Sequence, residues 1–156
     1  MKKIIPLILV LLCLFGCSAE LYTPVIASED SLSAVYKTGD FSYTCKIVRT
    51  NDFVSITPTS SSAEGMTIKC DGKEVTFTKG DMTKTFDKNE LDKTNPSIIL
   101  FEVFSSLEGA DVKLIDDEYT YSGKTSVGNF ILTQDKSNCF KGIKIPDANI
   151  EISFQN

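Results

Sequence analysis

Apolar residues in this chain return at every second position, and that period restricts the fold more than any other feature. Phe41, Tyr43, Cys45 and Ile47 alternate with Ser42, Thr44 and Lys46. Successive side chains of an extended strand point to opposite faces, so this pattern describes a strand buried on one face and wet on the other. Val54 and Ile56 continue it, then Met66, Ile68 and Cys70, then Val75 and Phe77, and at the end of the chain Ile150, Ile152 and Phe154. Asp71-Gly72 stands between two alternating runs. A type I′ turn needs positive φ there, so the pair predicts a hairpin. Lys79-Gly80-Asp81 predicts a second turn, and residues 58–64 a polar loop. Later strands are expected at 112–115, around Tyr119 and Tyr121 after an Asp116-Asp117 turn, and at 129–134 and 142–145 as a hairpin around 135–138.

One segment breaks the period. Asn95-Pro96 opens a run of Ile98, Ile99, Leu100, Phe101, Val103, Phe104 and Leu107. Thr94 or Asn95 can cap a helix here, and proline suits its first turn. Apolar residues cover more than one stripe, so the helix should be buried on most sides, with Gly109 ending it. A short helical turn is expected at 31–36, capped by Ser28 or Asp30. Strands, one buried helix and more strands give a mainly β (α+β) domain, an antiparallel sheet with the helix against one face.

The N-terminus speaks to location. Lys2 and Lys3 precede an apolar run at 4–15. A bilayer-spanning helix needs about 20 apolar residues, so this run matches a cleaved secretory leader instead. It ends in Leu14-Phe15-Gly16-Cys17, which resembles the bacterial lipobox, although Phe15 is bulkier than usual. That resemblance implies cleavage after residue 16 and a diacylglyceryl thioether on Cys17, two chains being enough for stable anchoring. The alternative is an ordinary leader cut after Ala19. The expected organisation is a leader at 1–16, a tether at 17–30 and one domain at 31–156. The expected location is the extracytoplasmic face of a cell membrane.

Charge and composition exclude several functions. Without Lys2 and Lys3 the chain has 14 basic against 21 acidic side chains, a net −7. Nucleic acid binding rests on neutralising phosphates, so nucleic acid is not an expected partner. A polybasic grip on anionic lipid is equally unsupported. Arg49 is the one arginine, which provides poorly for forked recognition of phosphate or carboxylate. There is no histidine, and with it go the commonest metal ligand and general base. Cys13 would leave with the leader and Cys17 take the lipid. Cys45, Cys70 and Cys139 remain. Cys45 and Cys70 fall on apolar strand faces, as buried thiols or as a bridge to each other. No metal-ligand spacing links the three.

The order of features resembles the LolA/LolB/RseB-like lipoproteins, especially their small Gram-positive relatives of unknown function. The residues that carry it are Phe41-Ser42-Tyr43-Thr44, Pro58 before a Ser-rich loop, Glu64-Gly65-Met66-Thr67-Ile68, Asp71-Gly72, Gly142-Ile143-Lys144-Ile145-Pro146 and Ile150-Glu151-Ile152-Ser153-Phe154. The resemblance implies a strongly curved antiparallel half-barrel with a helix on its concave face. In carrier members that concavity holds acyl chains. This chain is short for a carrier, which implies a smaller cavity or none, and its tether resembles that of the LolB-like members. The family offers no catalytic residue to carry over.

The residues themselves offer no catalytic constellation either. Asp116, Asp117 and Glu118 are adjacent and read as a solvated turn rather than carboxylates facing each other across a cleft. Ser60, Ser61 and Ser62 have no base beside them. No cofactor or metal is expected, and the protein is not expected to be an enzyme. The leading expectation is an apolar or lipid ligand held between sheet and helix by Phe41, Tyr43, Ile47, Met66, Ile68, Phe77, Ile98, Phe101 and Phe104. The alternative is a sensor or interaction domain with a solid core that meets another envelope protein.

Overall fold

The computed structural model describes residues 24–27 and 29–155. Cys17 and Ser28 lie outside them. The elements are β1 (Asp30–Thr38), β2 (Phe41–Arg49), β3 (Val54–Pro58), β4 (Met66–Cys70), β5 (Glu74–Lys79), β6 (Met82–Asp87), α1 (Pro96–Ser105), β7 (Asp111–Ile115), β8 (Glu118–Thr125), β9 (Gly128–Asp135), β10 (Phe140–Ile145) and β11 (Ile150–Gln155). The strands form one antiparallel sheet in the order β6-β5-β4-β3-β2-β1-β11-β10-β9-β8-β7. Neighbours in the sheet are neighbours in the chain except at the middle, where β1 pairs with β11 from Ser33↔Gln155 to Thr38↔Ile150. The sheet edges are therefore β6 and β7, and the segment joining them contains α1.

The sheet is strongly curved, and α1 shows why. The helix packs on β3, β4 and β8. Those strands lie far apart in the sheet order, yet ten helical residues span only about 15 Å. One short helix reaches both groups because the sheet curls toward itself. Asn95 caps α1, its Oδ1 accepting from the Ser97 amide at 3.0 Å. Ile98, Ile99, Leu100, Val103 and Phe104 are buried. All but Ile98 join the alternating residues of β1–β3 and β8–β11 in one apolar cluster. A smaller cluster of Cys70, Val75 and Ile98 lies beside it.

Two local expectations are corrected, and one strand, β6, was not expected. Residues 31–36 are strand, not a helical turn. Leu32, Ala34 and Tyr36 face Ile47, Cys45 and Tyr43 across β2, and pairing with both β2 and β11 satisfies a backbone that an isolated turn would leave open. β6 carries little apolar signal, because Thr83 and Thr85 face outward beside Thr78 and Thr76 of β5. The threonine hydroxyls of 76 and 85 meet at 3.0 Å. Finally, α1 stops at Ser105, and Gly109 closes the 3-10 turn Leu107–Gly109 that follows.

Candidate functional site

The nine residues expected to line one cavity fall into four groups. Ile47 and Ile98 are solid core, 0% and 2% exposed. Tyr43 and Ile68 are half-buried against that core. Phe41 is not inward. It lies on the same strand face as Tyr43, in ring contact at 5.6 Å, but the strand begins there beyond the packed core and leaves it 57% exposed. The other four line two separate hollows. Met66 and Phe77, with Met82, form a hollow of about 560 Å³ rimmed by Lys79, Asp81 and Lys84. Phe101 and Phe104, with Ile26, Val54 and Leu107, form another of about 510 Å³ where α1 leaves the ends of β2 and β3.

The second of these is the helix–sheet hollow, and one charged side chain dominates it. Arg49 occupies the last position of β2, on the same face as Cys45 and Ile47, and is 8% exposed. Its Nη1 is 3.2 Å from Asp30 Oδ2, directly across the register. Its Nη2 donates to the Ala27 carbonyl at 2.6 Å. The guanidinium sits 5.1 Å from the centre of the Phe104 ring, a cation–π contact strengthened by the lack of water. Burial pushes the Arg49 pKa down against the pull of Asp30. Burial likewise pushes Asp30 up against the pull of Arg49. Desolvation thus outweighs a single-contact ion pair on both sides. The hollow is amphipathic, because Thr50, Asn51, Ser105 and Glu108 complete its rim.

Arg49 was singled out in the sequence only for its rarity. Its signal was nonetheless present: it continues the alternation 41, 43, 45, 47 by one more step, placing a charge on an apolar face.

The segment before β1 is pinned beside this hollow. The Val25 amide donates to Asn138 Oδ1 at 3.1 Å. Gln134 Nε2 donates to the Val25 carbonyl at 3.2 Å and to the Asn138 carbonyl at 2.9 Å. Gln134 is 1% exposed, and its Oε1 accepts from the Tyr121 hydroxyl at 2.6 Å. Asn138 holds φ at 63°, a left-handed conformation asparagine tolerates. Ile26 packs on the main cluster.

Glu102 ties α1 to both halves of the sheet. It accepts from the Ser126 amide at 2.8 Å, in the β8–β9 turn, and pairs with Lys88 just after β6 at 3.0 Å. Burial opposes its ionisation, but these bonds together outweigh burial and hold its pKa below the usual value.

Cys45, Cys70 and Cys139 are free thiols. Burial raises the Cys45 thiol to about 11. Asp116 and Asp117 form a turn with positive φ at both residues, and Asp117 pairs with Lys136 in solvent. Among the described residues no group of histidine, cysteine or carboxylate side chains could hold a metal ion, and no helix is long and apolar enough to cross a membrane.

No protein-family model matches the chain, and no curated protein does. Among solved structures it is similar to a LolA superfamily protein from Nitrosomonas europaea, at 12% identity and a TM-score of 0.37. The match covers 81% of this chain and 66% of that one, just under two thirds of its length. At that identity and overlap the likeness is loose.

Proposed function

We propose that this chain is a lipid-anchored, extracytoplasmic membrane lipoprotein of the LolA/LolB-like kind, without catalytic activity, whose helix–sheet hollow receives the apolar part of a lipid-like ligand. The observation that carries the reading is the hollow itself. Phe101 is half-buried and leaves part of its ring open beside the half-buried Ile26, over a floor of buried Val54, Phe104 and Leu107. Its volume of about 510 Å³ falls in the range of small-molecule sites, which combine apolar walls with a few placed polar groups. That α1 packs on both β3–β4 and β8 supports a helix lying within the curl of the sheet, with the hollow at one end. Cys17 carries the anchor.

A second reading has its own support. Every residue of the edge strand β7 is exposed, with Leu114 and Ile115 at 56% and 50%. An open edge with apolar side chains is a template for pairing with another chain, as an envelope-protein contact would require.

Mass spectrometry of organic extracts from natively purified protein, followed by titration with a fluorescent fatty acid, tests the first reading. A co-purifying amphiphile, and binding weakened by Phe101→Ala, is the expected result. Clean extracts with no binding by the wild type leave the edge-strand reading in its place. The anchor is tested separately: Cys17→Ala should abolish palmitate incorporation and release the protein from membranes, and labelling that persists would refute it.

A further inference from the structure

The two hollows differ in where they lie relative to the tether. The chain enters the domain at Pro24, and Val25 and Ala27 are held by Asn138, Gln134 and Arg49. Ile26, between them, is itself a wall of the helix–sheet hollow. The entry point and the mouth of that hollow are therefore one place on the surface. The turn that joins β1 to β2, at residues 39 and 40, lies at the other end of the same hairpin. Eight residues of strand separate Phe41 from Arg49, roughly 27 Å.

We infer that the pinned tether turns the mouth of the helix–sheet hollow toward the bilayer that anchors the protein, so that this face is the one that meets the lipid surface. The inference rests on the lipid anchor proposed above. From Cys17 to Pro24 is seven residues. Whatever its conformation, such a segment spans no more than roughly 25 Å. That bounds the distance of the entry point from the bilayer, because the segment leaves from a point held by Asn138, Gln134 and Arg49 rather than from a loose strand terminus. The end bearing Asn51, Leu107 and Glu108 stays near this reach of the membrane in every orientation, whereas the turn at Asp40, about a strand length away, is held to no such limit and lies farther out on average. Asp52 and Glu108 beside the mouth disfavour insertion into anionic lipid. The mouth consequently sits at headgroup level rather than among the acyl chains, and an amphiphile leaving the anchoring leaflet meets the hollow before any other part of the domain.

The test uses the full-length protein in vesicles of phosphatidylethanolamine and phosphatidylglycerol carrying a nitroxide on the headgroup. In a Cys139→Ser background, Asn51→Cys or Asp40→Cys is labelled with a fluorophore. Both positions are exposed, and Cys45 and Cys70 are buried. Quenching should be at least about twofold stronger at 51 than at 40, as their strand-length separation requires. Equal or reversed quenching in protein that is anchored overturns the orientation and leaves the anchor standing. Protein that takes up no palmitate and stays in solution removes the anchor and the orientation with it. Asn138→Gly keeps the left-handed backbone but deletes the acceptor for Val25. It should shrink the contrast between the two probes, and an undiminished contrast would show that the pin is not its cause.

Discussion

Phe101→Ala distinguishes a hollow from a filled core. A fully buried phenylalanine loses about 3–5 kcal/mol on truncation, the sum of lost transfer energy and a new cavity. Phe101 is only half-buried. One side of its ring lines the helix–sheet hollow. The other lies on Gly72 in the β4–β5 turn, where an added Cβ would fall 2.7 Å from ring carbons. Removing the ring enlarges an opening that already exists, so the cavity contribution largely vanishes. What remains is the transfer free energy of the ring, about 1.5–3 kcal/mol when wholly buried. Discounting the open side gives about 2 kcal/mol. Leu100→Ala is the control: Leu100 is 0% exposed and should lose about 3–5 kcal/mol. Denaturant unfolding followed by circular dichroism or tyrosine emission measures both, the chain having no tryptophan. The contact with Gly72 adds a second check. Gly72→Ala should destabilise through its φ of 90° and through collision with the ring, and only the collision should disappear when Phe101→Ala is added. A Phe101→Ala loss equal to that of Leu100→Ala would mean that the ring is enclosed and that there is no hollow. A loss below about 0.5 kcal/mol, within the range of ordinary surface changes, would mean that it does not dock at all.

Cys139 should react rapidly with thiol reagents in the native domain while Cys45 and Cys70 react only on unfolding, since both are buried and the Cys45 thiolate is scarce below about pH 11; rapid native labelling of all three would contradict the strand register. Glu102 has a lowered pKa, so its contribution is present above the ordinary value of 4.5 and is lost as pH falls through the lower folded value. Glu102→Gln should therefore cost about 1–2 kcal/mol near neutral pH, as loss of charge-assisted bonds does, and progressively less in acid. Denaturation midpoints measured across that pH range would refute this if the difference stayed constant. Gly123→Ala would place a Cβ 2.5 Å from the Phe130 ring on the neighbouring strand and should destabilise by about 1–3 kcal/mol through overpacking; an unchanged thermal midpoint would show that the ring moves aside without cost.

What the sequence determined by itself was which residues share a face. Cys45, Ile47 and Ile56 were legible as core from alternation alone, because a strand's side-chain period is set by local backbone geometry. Asn95-Pro96 was legible as a helix start, and Asp71-Gly72 as a hairpin turn, although only Gly72 of the pair takes positive φ and the turn is therefore not type I′. Periodicity names a face but no partner, and partners are what tertiary structure decided. Residues 31–36 became strand because β2 and β11 supplied hydrogen bonds on both sides, the latter from more than a hundred residues away. The break between β6 and β7, the curl of the sheet and the pair of hollows followed from that pairing. Phe41 and Ile47 have identical alternation, yet one is exposed and the other sealed, because the core ends before Phe41. Arg49 acquired its place only when Ala27 and Asp30 from the segment before and into β1, and Phe104 from α1, converged on it. A buried charge is tolerable only with such company, and no local pattern in the sequence says where that company will come from.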